Sequence, residues 1–174
     1  MSSANRPRLA EHLRIPAEIA VAALVAYLLG FWFTNLFPGY LPKIGGLWSA
    51  LSAVVVTQIS RQEARSSASL RILGSAIGAL TSGLFLLLHP FDPFGMALVI
   101  FITVLICSAV HVPSHARLAA ITVIVVMVTA SLDPRLNPLI NALLRFLESC
   151  IGTGVALLAV WLWPGSPSRP DAGN

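Results

Sequence analysis

Six stretches without a single charged side chain limit what this chain can become: residues 19–42, 44–60, 72–91, 93–116, 118–132 and 149–168. A helix that crosses the hydrocarbon core of a bilayer needs about 20 mostly apolar residues, with roughly 17 as the practical minimum. A soluble core built from 174 residues has no use for six such runs, and 11 basic plus 7 acidic side chains could not cover its surface. Hydrophobic residues make up 56% of the chain and charged ones 10%, whereas soluble domains carry about 25% charged residues. Backbone polar groups in lipid must find partners within their own segment. The sequence therefore specifies an all-α polytopic membrane protein whose first partner is the lipid bilayer.

As helices, the runs predict six spans over residues 15–37, 46–60, 70–89, 94–112, 117–132 and 141–163. Pro38, Gly39, Pro42, Pro90, Pro93, Pro113 and Pro138 fall in the gaps, where helices should stop or start. Three regions follow: an N-terminal arm over 1–14, a six-helix membrane domain over 15–163, and a polar Pro/Gly/Ser-rich tail over 164–174 with the composition of a disordered segment. Arg6, Arg8 and Arg14 precede the first run as in a signal peptide. That run is too long for one, however, and ends in Phe31-Trp32-Phe33, so it is expected to remain as the first span.

Six spans put both termini on one side. If that side is the cytoplasm, Arg6, Arg8, Arg14, Arg61, Arg65, Arg71, Arg117 and Arg169 lie inside, and Lys43, Arg135 and Arg145 outside. The positive-inside rule favours that choice. Phe31, Trp32, Phe33, Tyr40 and Trp48 then form an outer aromatic belt, with Trp161 and Trp163 at the inner face. The net charge of +4 sits beside apolar runs and forms no soluble basic face, so no nucleic-acid partner is expected. Cys107 and Cys150 fall inside apolar runs and read as small buried hydrophobes.

An internal repeat is the most informative pattern. Leu70-Arg71-Ile72-Leu73-Gly74-Ser75-Ala76-Ile77-Gly78 opens the third span, and Leu144-Arg145-Phe146-Leu147-Glu148-Ser149-Cys150-Ile151-Gly152 opens the sixth, 74 residues later. Leu, Arg, Leu, Ser, Ile and Gly coincide in register. The preceding spans also align, residues 50–56 beside 120–126. Each unit would hold three helices, and an odd number reverses topology, so the two halves would be inverted about an axis in the membrane plane. The second and fifth spans are the two shortest and occupy corresponding places, which points to a midplane binding site between them. Their polar residues are Ser52, Thr57 and Gln58 in one, and Thr122, Thr129 and Ser131 in the other.

Nothing in the chain resembles a nucleophile elbow or a phosphate loop, so no enzyme, catalytic residue or cofactor is expected. His111 and His115 are four apart, but Pro113 lies between them and no third ligand is near, so no metal is expected and the pair reads as a polar turn. Gly74, Gly78 and Gly152 are candidate helix-packing positions, small enough for backbones to approach in lipid. Glu148 stands about seven residues into the sixth span, roughly 10 Å deep at 1.5 Å per residue. A carboxylate at that depth is a functional candidate, with Arg145 one turn away able to neutralise it. Arg71 reads as an anchor that snorkels to the inner surface.

Residues 46–56, a polar arginine-containing loop, and residues 70–79 together resemble the membrane domain of the fusaric acid resistance (FUSC) and aromatic acid exporter family. The segment from Arg145 to Gly152 is similar to the last helix of that domain, where an acidic residue precedes Ile-Gly. The resemblance covers most of residues 16–163. It implies a bacterial inner-membrane protein that exports small organic, chiefly aromatic, carboxylates, with a periplasmic adaptor as a possible partner. Many members add a cytoplasmic domain and a second membrane half. With neither in these residues, a homo-oligomer is expected. On this reading Arg71, Arg145, Thr57, Gln58 and Thr129 are the candidate substrate-binding residues, and Glu148 is the proton-coupling candidate. The alternative is a non-transporting scaffold or assembly partner of an envelope complex.

Overall fold

The computed structural model describes residues 6–57, 61–133 and 135–162. Gln58, Trp163 and the tail over 164–174 lie outside them. Six α-helices follow in order: α1 Arg6–Asn35, α2 Pro42–Val56, α3 Arg61–Leu88, α4 Pro93–Ala109, α5 Ala116–Leu132 and α6 Pro138–Leu162. A short 3-10 turn, Pro113–His115, leads into α5, and there is no strand among the described residues.

The boundaries have local causes. α2, α4 and α6 each begin on a proline, whose fixed φ suits a first helical turn and whose missing N–H costs nothing there. Asp92 caps α4 by accepting from the Gly95 N–H at 2.8 Å. Asn137 caps α6 by accepting from the N–H groups of Leu139 and Ile140 at 3.0 and 3.2 Å. α3 begins nine residues before the expected start, because Gln62, Glu63, Ala64 and Arg65 favour a helix even where the segment is too polar for lipid.

Among the described residues, four helical stretches are long and apolar enough to cross a membrane: Ile15–Asn35, Gln62–Leu88, Pro113–Leu132 and Pro138–Leu162. α2 and α4 are shorter, at 15 and 17 residues. They extend about 22 and 25 Å against a hydrocarbon core of about 30 Å. The expectation that the second and fifth spans form the short pair is therefore corrected. The fifth gains the Pro113–His115 turn, while α4 stops at Ala109, just before His111 takes a left-handed φ of 60°.

α3 and α6 pack against each other at the centre. α5 lies on α3, α2 lies on α6, and α1 covers α2 and α6, with α4 peripheral on α5. Two apolar clusters flank the α3–α6 contact, one around Val123, Val126 and Met127, the other around Ala26, Ala53, Val56 and Ala156. Large apolar side chains such as Leu80, Phe94, Phe101 and Leu158 point outward, and the buried positions include Thr34, Ser49, Ser52, Ser75, Thr122, Asn141 and three charges. Apolar outside and polar within is the arrangement that lipid selects. Trp32 and Trp161 are exposed as an interfacial residue should be. Trp48 is not: it is 3% exposed, so its place in the outer belt is corrected.

Candidate functional site

The end of the bundle that carries the α1–α2 and α5–α6 turns is the Tyr40 end, and the opposite one, with the α4–α5 turn, is the His115 end. Asn141, Arg145, Glu148, Ser149 and Gly152 recur on α6 at spacings that place them on one face, and all five are buried against the other helices. Because α6 begins at Pro138, Glu148 lies ten residues in, about 15 Å along the axis. That is deeper than the sequence suggested.

Glu148 is fully buried and Arg145 is 2% exposed. Arg145 Nη2 sits 2.8 Å from Glu148 Oε1, one turn away on the same helix. The same oxygen accepts from the Thr34 hydroxyl of α1 at 2.6 Å, and the Ser49 hydroxyl of α2 donates to the Glu148 carbonyl at 3.0 Å. Gly45 makes room for this junction: a methyl group there would collide with the Thr34 hydroxyl and stand 2.7 Å from Glu148 Oε1. Arg145 Nε and Nη1 and Glu148 Oε2 remain buried without a partner. Leaving such groups unpaired is costly, so the pair retains capacity for another ligand.

Arg145 also lines a cavity of about 190 Å³ at the Tyr40 end, together with Tyr40, Ile44, Thr129, Asp133 and Asn141. The Tyr40 hydroxyl donates to the Asn137 carbonyl at 3.4 Å. Burial pushes this phenol above its ordinary value, opposed by that hydrogen bond and by the Arg145 charge, so Tyr40 remains a neutral donor at physiological pH. Thr129 and Asn141 bond to each other at 3.1 Å, and the Asn141 amide also donates to the Val126 carbonyl at 2.9 Å. The lining thus brings together a buried arginine, a phenol, an amide and the Asp133 carboxylate.

Arg71 stands in a different setting. The sequence made it a snorkelling anchor, which the structure corrects. α3 starts at Arg61, so Arg71 lies nearly three turns inside the helix and is 2% exposed. Its Nε and Nη2 both donate to the Ser52 hydroxyl, at 3.1 and 2.9 Å, and its guanidinium carbon lies 4.4 Å from the centre of the Trp48 ring. Among the described residues, no carboxylate bridges it.

A chain of hydroxyls runs from α2 through α6 and α3 to α5. Ser52 lies 3.4 Å from Ser149, Ser149 lies 2.9 Å from Ser75, and Ser75 lies 3.4 Å from Thr122. The chain reads the same from either end once 74 residues are added along α3 and 70 along α2. The glycine contacts obey the same registers. A methyl at Gly152 would strike the Ser49 carbonyl and the Ser52 side chain, and one at Gly78 would strike the Ala119 carbonyl and the Thr122 side chain. Gly74 packs 3.0 Å from the His115 carbonyl by the same measure.

Of the remaining candidates, Thr57 directs its hydroxyl to the Ala53 carbonyl of its own helix at 2.8 Å, away from the Arg145 cavity. His111 precedes the Pro113–His115 turn and His115 closes it, as expected, with His111 exposed and His115 buried, and no group of three metal-ligating side chains occurs among the described residues. Sequence reasoning missed Thr34, Gly45, Tyr40 and Asn141. Asn141 had a visible signal, four residues before Arg145 and seven before Glu148. Thr34 had almost none.

Residues 21–159 match the family model described as fusaric acid resistance protein-like. That match covers every element that builds the Arg145 cavity and the hydroxyl chain. No curated protein and no solved structure matches the chain.

Proposed function

This chain belongs to the fusaric acid resistance protein-like family, and from that premise we propose that it exports small organic acids, aromatic carboxylates foremost, across a bacterial inner membrane. In this reading all six helices sit in the bilayer as two inverted three-helix halves, with both termini cytoplasmic and the Tyr40 end facing the periplasm. The basic-residue count supports the orientation. The matching hydroxyl and glycine contacts support the repeat.

The observation that carries the function is the Arg145 guanidinium. It is buried in the wall of a cavity of about 190 Å³, with two of its nitrogens unpartnered. A planar guanidinium binds a carboxylate bidentately through Nη2 and one neighbouring nitrogen, and at Arg145 both neighbours are spare while Glu148 holds Nη2. The cavity volume suits a single-ring acid, and Ile44, Leu132 and Leu136 add an apolar wall beside Tyr40. Glu148 competes for the same guanidinium. A proton on Glu148 releases Arg145, so carboxylate binding and proton binding at this pair are linked, each favouring the other.

Proteoliposomes loaded with radiolabelled benzoate test the reading. The parent should release benzoate faster than protein-free vesicles, and the paired replacement Arg145→Gln with Glu148→Gln, which removes both charges together, should abolish the difference. Release no faster than from empty vesicles, in every orientation and pH gradient, would favour the scaffold role instead.

A further inference from the structure

The centre of the molecule is the same in both halves, and the two ends are not. Ser75 meets Ser149, the residue 74 positions away, as residues on a two-fold axis must. Ser52 and Thr122 flank them at the same 3.4 Å. Gly78 and Gly152 rest on equivalent backbone carbonyls. At the Tyr40 end the axis leads to an open cavity at Arg145. At the His115 end it leads to Arg71, covered by Trp48 and tied to one serine hydroxyl.

We propose that Arg71 is a second carboxylate subsite, the counterpart of Arg145, reached from the His115 end in a conformation in which the two halves exchange roles. This rests on the reading of Arg145 as the carboxylate anchor. Three features beyond the registers support it. First, among the described residues Arg71 is a buried cation in contact with a neutral hydroxyl and an aromatic face and with no carboxylate, and a carboxylate would bind it more strongly than either. Second, Gly74 stands at the register of Glu148, so α3 offers Arg71 no carboxylate one turn away, and the His115 carbonyl and Leu118 close on that place instead. Third, His115 stands where the register places the counterpart of Gly45. Its Nε2 is buried, at 8% residue exposure, and has no partner, so a polar group waits beside Arg71's half of the axis. The identical central contacts would survive an exchange unchanged, since only the covering of each arginine need differ.

Spin-label distances test the exchange in the full chain, with Cys107→Ala and Cys150→Ala supplying a cysteine-free background; the second change copies Ala76 at the matching register. One pair, L41C with L136C, spans the mouth of the Arg145 cavity. The other, Q62C with H111C, takes the register counterparts at the opposite end. The pairs should each give two distances, the wide population of one growing as that of the other shrinks. Benzoate should shift the second pair in the parent and not in Arg71→Gln. Arg71→Lys, which keeps the charge in case the Gln variant fails to fold, should retain a weakened response. A single distance at Q62C with H111C, unmoved by benzoate while the other pair responds, would overturn this inference and leave the export reading standing. Opposed movements without benzoate release from liposomes would sustain the exchange and remove the export reading.

Discussion

Arg71 and Arg145 occupy matching places in two similar segments, yet the protein neutralises them in opposite ways. Arg145 has a carboxylate one turn away, shares it with Thr34 and borders a cavity. Arg71 has glycine at that position and takes a serine hydroxyl and an indole face instead. Of the three differences between the segments, Glu148 against Gly74 is the one that gives Arg145, and not Arg71, a buried carboxylate on its own helix. A buried pair with unfilled valences can accept a ligand by rearranging, whereas a capped cation must first be uncovered.

The largest effect should come from breaking the pair on one side only. Arg145→Ala leaves Glu148 buried without its counter-charge, which typically costs about 3–5 kcal/mol, and should appear as lost yield and a lower melting temperature in detergent. The corresponding change at Arg71 strands no carboxylate, so it should be markedly milder. Equal losses would erase the distinction between the two arginines.

Next comes Thr34→Val, which removes a hydrogen bond to a charged oxygen and keeps the shape. A loss of about 1.5–3 kcal/mol is expected. Stability indistinguishable from the parent would mean that the 2.6 Å contact contributes nothing.

Gly78→Leu and Gly152→Leu sharpen the comparison from the other side, since the two halves should respond alike. Each forces bulk onto a backbone carbonyl, and overpacking of this kind costs about 1–3 kcal/mol. Unchanged melting for either variant would show that its helix contact can open freely. Arg71→Lys should have the smallest effect, about 1 kcal/mol from weaker stacking on an aromatic ring. Its clearest readout is a shifted Trp48 emission in a background where the other tryptophans are phenylalanine.

The fold was legible where physics acts locally. Charge-free length located the helices, and proline marked the starts of α2, α4 and α6. The α3 start was hidden because a polar helix projecting beyond the apolar stretch looks like a loop when only hydropathy is read. In the site, Glu148 and Arg145 stood out as charges within an apolar context. Thr34 did not, because a neutral threonine beside an aromatic run gives no sign of a partner 114 residues away. Trp48 misled for a related reason: a tryptophan near a span end normally marks the membrane surface, and here the cation it covers turns it inward.

The central claim is that Glu148 and a substrate carboxylate compete for Arg145, so that one proton and one anion are linked at this pair. Benzoate affinity measured against pH, over a range in which benzoate itself stays ionised, tests it directly in the parent and in Glu148→Gln. The account predicts that the parent binds more tightly as the pH falls, while Glu148→Gln binds equally well throughout. The same pH dependence in both proteins would contradict it and reduce Glu148 to half of a structural ion pair.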